Sequence, residues 1–494
     1  MQVGTVLEGS VRKAGDRLRI TAQLIDVASQ AHLWSEDYDR DMTDVFAIQS
    51  NVAQHVAQAL QVTLKPAEAR QIAQAGTADL EAYNAYLQGL YHYNTWSKQG
   101  LEKSIEYFEQ AIAHDPVFAK AYGAMALSYD LLGEGYLPPD EAFPKLKEAA
   151  HRALEIDATN AEAYTALAAA ATFYDRDWIR ADEGFHRALE LNPNSAIAHD
   201  WYGSAYLRPM GRHDEAIAHD QRAKELDPLT HYIRVDLGFS YNFARRYDEA
   251  IAECKQIPDI DPNFYFTYWC LGYAYWQKGM IEEAIAAYER GVGLNPGDLR
   301  VKVHLAMVYA DAGNKARAQQ ILEEFEEKAR REYVSGVALA WAHMAVGDLD
   351  GASVSMDEMY KQRDPELIWM NAHVIHDDLR SDPRFQELMR KIGFTESQID
   401  AADALRASVA NIGGLVQQTS LNWEGNRAAQ GTRVADRRHQ SDRGHRPITL
   451  RSQSTVTAAL GLGRVKTLWQ RMHGLQHDGC TATRLRRAVA PVLG

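Results

Sequence analysis

The strongest constraint on this chain is a step of 34 residues, climbed by four ladders of matching side chains. Leu237, Leu271, Leu305 and Leu339 form the first, with Gly238, Gly272, Ala306 and Ala340 beside them. Tyr241, Tyr275, Tyr309 and His343 form the third, Ala250, Ala284, Ala318 and Ala352 the fourth, and Pro228, Pro262 and Pro296 close the units. Large, small, aromatic and small residues at that period specify a pair of helices that cannot bury its apolar face alone. Such pairs stack lengthwise, so the ladders predict an α-solenoid with an extended concave surface, a binding device rather than a catalytic one.

Upstream the pattern continues with longer connections. Phe108, Ala111 and Pro116 mark a first unit with a loop at 94–100, and a second unit carries a Gly- and Pro-rich loop at 133–144. Tyr164, Ala168, Phe185, Ala188 and Pro193 belong to a third, and Tyr202, Gly203, Tyr206, Ala216, Ala223 and Pro228 to a fourth. Four more regular units follow, which places about eight repeats between residues 81 and 365. Small residues let the paired helices approach closely while aromatics fill the gaps.

Ahead of the array the period changes. Val6, Leu7, Leu18, Ile20, Ala22, Leu24 and Ile25 alternate around a turn at 13–16 and read as a β-hairpin. Val45, Ile48, Val52, Val56 and Leu60 then recur at helical spacing behind Thr43 or Asp44 as a cap. A hairpin with one helix is marginal alone, so a missing segment or the array must support it. Residues 63–80 read as a linker.

Val6-Leu7-Glu8-Gly9-Ser10-Val11-Arg12, Arg19-Ile20-Thr21-Ala22-Gln23-Leu24-Ile25-Asp26 and His32-Leu33-Trp34-Ser35-Glu36 resemble the C-terminal half of the TolB-like domain of bacterial signalling proteins. In that family the domain precedes tetratricopeptide (TPR) repeats and follows a winged-helix or nucleotide-cyclase output domain. The resemblance covers residues 3–62 for that module and 82–398 for the repeats, within a division of the chain into a partial α/β module at 1–62 and a repeat array at 81–365. It implies a sensory or partner-binding role in signal transduction, in the cytoplasm, or in the periplasm where a membrane helix precedes the domain.

After the repeats, Leu379-Arg380-Ser381-Asp382-Pro383-Arg384-Phe385 with Leu388, Met389 and Ile392 resemble a closing segment, and 366–398 read as a helical cap. Residues 399–494 read as a low-order tail, because apolar periodicity ends and arginine dominates. From 406 onward there are 14 basic and four acidic residues, so the remainder of a chain of net charge −14 carries −24. That acidic body argues against nonspecific nucleic-acid binding. The abrupt N-terminus and the Arg-rich tail together read as a damaged reading frame, truncated at the start and frameshifted at the end; a genuine basic tail for an acidic partner is the alternative.

Several clusters carry residue types suited to chemistry, and each lacks part of its motif. His373, His376, Asp377 and Asp378 lack a third ligand at motif spacing. Glu323, Glu324, Glu326 and Glu327 read as a solvated helix face. Gly291-Val292-Gly293 with Gly297, and Gly461-Leu462-Gly463 with Lys466, lack the strand-loop-helix context of a nucleotide loop. Cys254, Cys270 and Cys480 are too few and scattered for a disulfide framework or a zinc site. No stretch reaches the roughly 20 apolar residues that cross a bilayer. The expectation is therefore a nonenzymatic scaffold with no cofactor and no metal.

The repeat phase assigns a partner-binding groove. First helices line the concave side, which places Tyr232, Phe239, Asn242, Phe266, Trp269, Tyr273, Trp276 and Trp341 there. An aromatic groove suits an extended peptide or apolar helix, whereas a clamp for a carboxylate-ended peptide uses Lys, Arg and Asn, of which Asn242 alone fits. The same rings could instead pack between neighbouring first helices. The reading is a scaffold that docks a protein segment in the groove, with a detached part of a cyclase or winged-helix regulator as the alternative.

Overall fold

Units 1 to 5 all turn out of their second helix on one device, an Asp or Asn whose side chain caps the backbone two residues on. The carboxylates of Asp115, Asp157, Asp227 and Asp261 and the amide oxygen of Asn192 accept from the backbone N–H groups of Val117, Thr159, Leu229, Asn263 and Asn194 at 2.9–3.3 Å. A second device turns the chain within a pair. Gly211, Gly279, Gly313 and Gly347 sit at φ 73°, 74°, 79° and 83°, and Arg245, in phase with them, takes φ 59°. These positions require the left-handed region, which is why glycine recurs there.

The computed structural model describes residues 4–14, 17–41, 45–60, 76–372 and 383–399. Between them the two turns generate an α-solenoid of eight helix pairs. The first helices are Leu80–Tyr93, Ala119–Gly133, Ala161–Ala170, Ala196–Trp201, His231–Phe243, Phe266–Gln277, Leu299–Asp311 and Gly336–Val346. In units 3 and 4 that helix widens at its end into a π turn, Ala171–Asp175 and Tyr202–Leu207. After the last pair a short 3-10 helix, Pro365–Asn371, runs on.

The two upstream loops are shorter than the sequence indicates. The helix Lys98–His114 begins inside the expected 94–100 loop, capped by Ser97, whose hydroxyl accepts from the Gly100 N–H. The helix Pro139–Ile156 begins inside 133–144 with Pro139 in its first turn, where a proline forfeits little hydrogen bonding, and continues through Pro144.

Second helices supply the large core side chains. Phe108, Phe143, Phe185, Tyr288 and Phe325 are fully buried, each stabilising by about 2 kcal/mol through the area removed from water. The small residue of the ladder faces them: a Cβ on Gly272 would lie 2.7–2.8 Å from three atoms of the Tyr288 ring. Gly238 faces Cys254 and Cys270, which form a disulfide. Sixteen residues separate this pair, yet the end of one unit's second helix abuts the next unit's first helix; the stacking brings together cysteines that look scattered in sequence.

The N-terminal module has three strands, not the expected two. β1 (Thr5–Ala14), β2 (Arg17–Asp26) and β3 (His32–Asp41) form an antiparallel sheet in the order β1-β2-β3. β3 escapes a hydropathy reading because its outer face is charged: Asp39 accepts from Arg17 and Arg19 at 2.9 and 2.7 Å, and Asp37 accepts from Thr21 at 2.5 Å. The inner face buries Ile20, Ala22, Leu24 and Tyr38 against Ile48, Val52 and Val56 of the helix Val45–Ala59, and Leu80 of the first repeat helix packs on that core.

Residues 383–399 fall in a separate unit. There the helix Pro383–Lys391 carries buried Phe385, Leu388 and Met389, and Arg390 pairs with Glu396 at 2.6 Å.

Candidate binding face

The first helices turn their side chains inward, and there the structure assembles the aromatic residues expected of a groove. Phe239 meets Phe266 and Trp269 edge to face at 5.9 and 4.8 Å, and Phe266 meets Trp269 at 5.1 Å. Tyr273 lies against Trp276 at 6.3 Å. Trp341 joins them through His304, whose ring is 4.9 Å from Trp341, 5.4 Å from Trp269 and 6.2 Å from Tyr273. Tyr232 stacks at 4.7 Å on Trp96, which also touches Phe266 at 5.3 Å.

These rings bury one another. Tyr232, Phe239, Phe266, Trp269, Tyr273 and Trp341 are all buried, and Trp276 alone is half-exposed, its indole N–H donating to Asp311 at 2.6 Å. Asn242 is fully buried, and its amide donates to the Cys270 carbonyl at 3.2 Å, tying one repeat to the next.

The solenoid's inner face also meets itself across long sequence distances. Trp96 follows the first repeat helix, yet its carbonyl lies 3.2 Å from the Tyr265 hydroxyl, 169 residues on. That hydroxyl donates to Asp298 at 2.8 Å, and Tyr136 of unit 2 lies 3.4 Å from it. Trp369 of the 3-10 segment touches Phe173 at 6.2 Å and Phe243 at 5.9 Å.

Two arginines anchor this interior. Arg300 is held by Asp298 at 2.7 Å and approaches Glu134 and Glu366 at 3.8 Å each. Arg208, at the end of the unit 4 π turn, donates to Ser240 at 3.0 Å and to Asp236 at 3.2 Å, with Asp220 at 3.8 Å. Burial opposes the charged form of Asp298, but Arg300 and Tyr265 outweigh it and hold the carboxyl below the usual range. Burial pushes Glu366 up to about 8, and Glu134 and Asp220 each up to about 7, against the pull of the nearby guanidinium. The same burial lowers His304 to about 4, so the hub of the aromatic seam is neutral.

Sequence phase reached part of this. Tyr232, Phe266 and Arg300 share one 34-residue ladder, so extending it one step finds the arginine. Asp236 and His304 share another phase, two steps apart. Trp96 and Trp369 lie outside the repeat helices and carry no periodic signal. The pair His373 and His376 lies outside the described residues. Glu323 and Glu324 are exposed, and Gly291 and Gly293 end a repeat helix, Ile281–Leu294. Among the described residues no group of three His, Cys, Asp or Glu is placed to hold a metal ion, and no helix is long and apolar enough to cross a membrane.

The tetratricopeptide repeat family matches residues 275–338. Over 125 residues, 25% of this chain, the sequence is 35% identical to a Rhizobium meliloti (strain 1021) protein named "Putative adenylate cyclase 3". The match spans 21% of that protein's length. Similar solved structures include PilW, described as a widely conserved type IV pilus biogenesis factor, at 14% identity over 55% of this chain and 98% of that one, TM-score 0.30. YrrB, described as a TPR protein with an unusual peptide-binding site, is 20% identical over 40% of this chain and 96% of its own, TM-score 0.27. Pseudomonas aeruginosa pilF is 18% identical over 56% and 98%, TM-score 0.27. The fold is a mainly α, TPR-type solenoid behind a small three-stranded sheet.

Proposed function

We propose that this chain is a nonenzymatic scaffold of a bacterial signalling system that binds a protein or peptide segment through the inner face of its repeats. The observation that carries the reading is the repeat array itself, a surface of first helices with aromatic anchors. Trp276 is the anchor within a partner's reach, and Tyr232, Phe239, Asn242, Phe266, Trp269, Tyr273 and Trp341 set the shape behind it. The N-terminal sheet and helix, read as TolB-like, would receive the binding event.

A capture experiment tests this reading. The full chain and Trp276→Ala are used as baits, both checked for folding by circular dichroism, and a defined partner is then titrated. Loss of at least tenfold in affinity by the folded variant supports the inner face, while equal affinity moves binding to the loops or the outer face.

The second reading, that the chain works as one part of a nucleotide cyclase or a winged-helix regulator, is favoured by the 35% identity to the cyclase-named protein. Determining the coding sequence around this segment decides it. A cyclase or winged-helix domain in frame supports the reading, and an intact gene boundary refutes it.

A further inference from the structure

Two imidazole rings of unit 4 meet nitrogen to nitrogen. His199, on the first helix Ala196–Trp201, and His219, on the second helix His213–Leu226, hold their Nδ1 atoms 3.0 Å apart, with ring centres at 5.0 Å. Those separations put the rings nearly head on, so the contact is a hydrogen bond that one proton must occupy. A second contact decides whose proton it is. The His199 Nε2 lies 3.1 Å from the Pro193 carbonyl, in the turn that enters unit 4, and a carbonyl only accepts. His199 therefore carries its hydrogen on Nε2, its Nδ1 is the acceptor, and neutral His219 donates from Nδ1.

Positive charge enters this arrangement only once without breaking it. A first proton goes to the His219 Nε2, the ring nitrogen outside the bond, and leaves the bond in place. A second must take the His199 lone pair that accepts the bond, so two N–H groups of two cationic rings would face each other. The carboxylates described around the rings are already engaged. Glu215 accepts from Arg212 at 2.8 and 2.7 Å, and Glu225 accepts from Arg222 at 3.0 Å. Asp182, on the neighbouring helix Trp178–Leu191, accepts from the Tyr202 hydroxyl at 2.7 Å and lies 3.5 Å from His186. Both rings are half-buried, so protons reach them while burial opposes their charge. Burial, with Arg222 beside it, lowers His199 against the pull of the Pro193 carbonyl. Burial, with His199, His186 and Arg212, lowers His219 to about 4 against the pull of Glu215.

The pair sits where unit 4 is least regular. His219 stands perpendicular to Tyr202 at 4.8 Å, and Tyr202 opens the π turn after which Arg208 reaches Ser240 and Asp236 of unit 5. Parting the two rings loosens the joint that holds Arg208 there. We propose that His199 and His219 form a proton-operated latch of unit 4, closed while the pair carries one charge or none and opened when both rings are charged. An opened unit takes a proton on each ring near pH 6.5, whereas the closed latch holds at most one. Its stability is therefore present above about pH 6.5 and is lost as pH falls toward about 4, by up to about tenfold in the opening equilibrium per pH unit for each proton withheld. The latch is independent of what the inner face binds.

The test is hydrogen exchange of the full chain, read by mass spectrometry at about pH 7.5 and about pH 5 with labelling times scaled for intrinsic exchange, in the wild type and His219→Asn. Asparagine keeps an N–H for His199 and takes up no proton. Peptides from 196–226 should open at least about tenfold more at the lower pH in the wild type, relative to 266–294, a stretch without histidine. His219→Asn should remove most of that rise. His213 opens the same helix and is also lowered to about 4 by burial, so the difference between the two proteins is the readout. Nitrogen-15 spectra of the histidine rings near pH 7.5 should show His219 protonated at Nδ1 and His199 at Nε2. Should His219→Asn not fold, His199→Gln, which keeps a donor for the Pro193 carbonyl, carries the comparison. No rise in the wild type, an equal rise in the variant, or Nε2–H tautomers on both rings overturns the proposal.

Discussion

Units 5 to 8 and units 1 to 4 use the same helix pair in different ways. In the later units the 34-residue ladders run almost unbroken, and Gly272 against Tyr288 shows the small-against-large contact that sets the spacing. In the earlier ones the first helices of units 3 and 4 end in π turns, and side chains near those turns reach inward: Phe173 to Trp369, and Arg208 to Asp236 and Ser240. Departures from the period therefore coincide with the polar interior, in line with the concentration of π turns at functional places. The regular half carries the repeat geometry, and the irregular half contributes the Trp96 carbonyl, the Tyr136 hydroxyl and the Glu134 carboxyl that meet Tyr265, Asp298 and Arg300.

The largest effect separating the halves should come from the regular core. Phe325→Ala empties a fully buried site and should cost about 4 kcal/mol, read by urea denaturation. A loss below about 1 kcal/mol would mean that the repeat packing is looser than the ladder implies.

Arg300→Met should cost about 3 kcal/mol at neutral pH, because Asp298, the carboxyl that this guanidinium keeps charged, loses its cation. Repeating the denaturation at pH 5 should recover much of that loss as the carboxyl takes up a proton. A pH-independent cost would assign the arginine to packing alone.

Glu366 sharpens the comparison through its titration. Its folded pKa is raised to about 8, so the folded state keeps a proton that the unfolded chain releases near pH 4. Its contribution is fully present below the unfolded pKa and is lost as pH rises through about 8. Glu366→Gln should flatten the decline in stability between pH 5 and 8 by on the order of 2 kcal/mol. His304, lowered to about 4, acts in the opposite sense, losing stability as pH falls from about 6.5. An unchanged pH slope in Glu366→Gln would remove Glu366 from the charge network.

Smallest is Gly313→Ala, which forces a side chain into φ 79° at a solvent-facing turn and should cost about 1 kcal/mol. Arg245, at the equivalent place with φ 59°, already bears that strain, so Arg245→Gly should not destabilise the array by more than about 0.5 kcal/mol. Thermal denaturation of both variants checks the pair.

The solenoid was legible because each unit repeats the same packing problem, so Leu237, Gly238, Tyr241 and Ala250 announce their helix faces four times over. The aromatic inner residues were legible from the same phase, but their burial was not, since phase fixes a side chain's direction and not what stands opposite. β3 was missed because Asp37 and Asp39 on its outer face mask the alternation that Trp34 and Tyr38 provide on the other. The disulfide was missed because Cys254 and Cys270 meet through the stacking of successive units.

By itself, then, the sequence determined the repeat, its period, the helix faces and the acidic charge of the body, all consequences of local periodicity that every unit restates. Tertiary structure alone decided that Trp96 stacks on Tyr232, that Tyr265 joins Trp96 to Asp298, and that Arg300 stands between Asp298, Glu134 and Glu366. The physical reason is sequence distance. Those contacts form where the winding of successive units returns the inner face upon itself, and that winding is the sum of small packing rotations that no single repeat encodes.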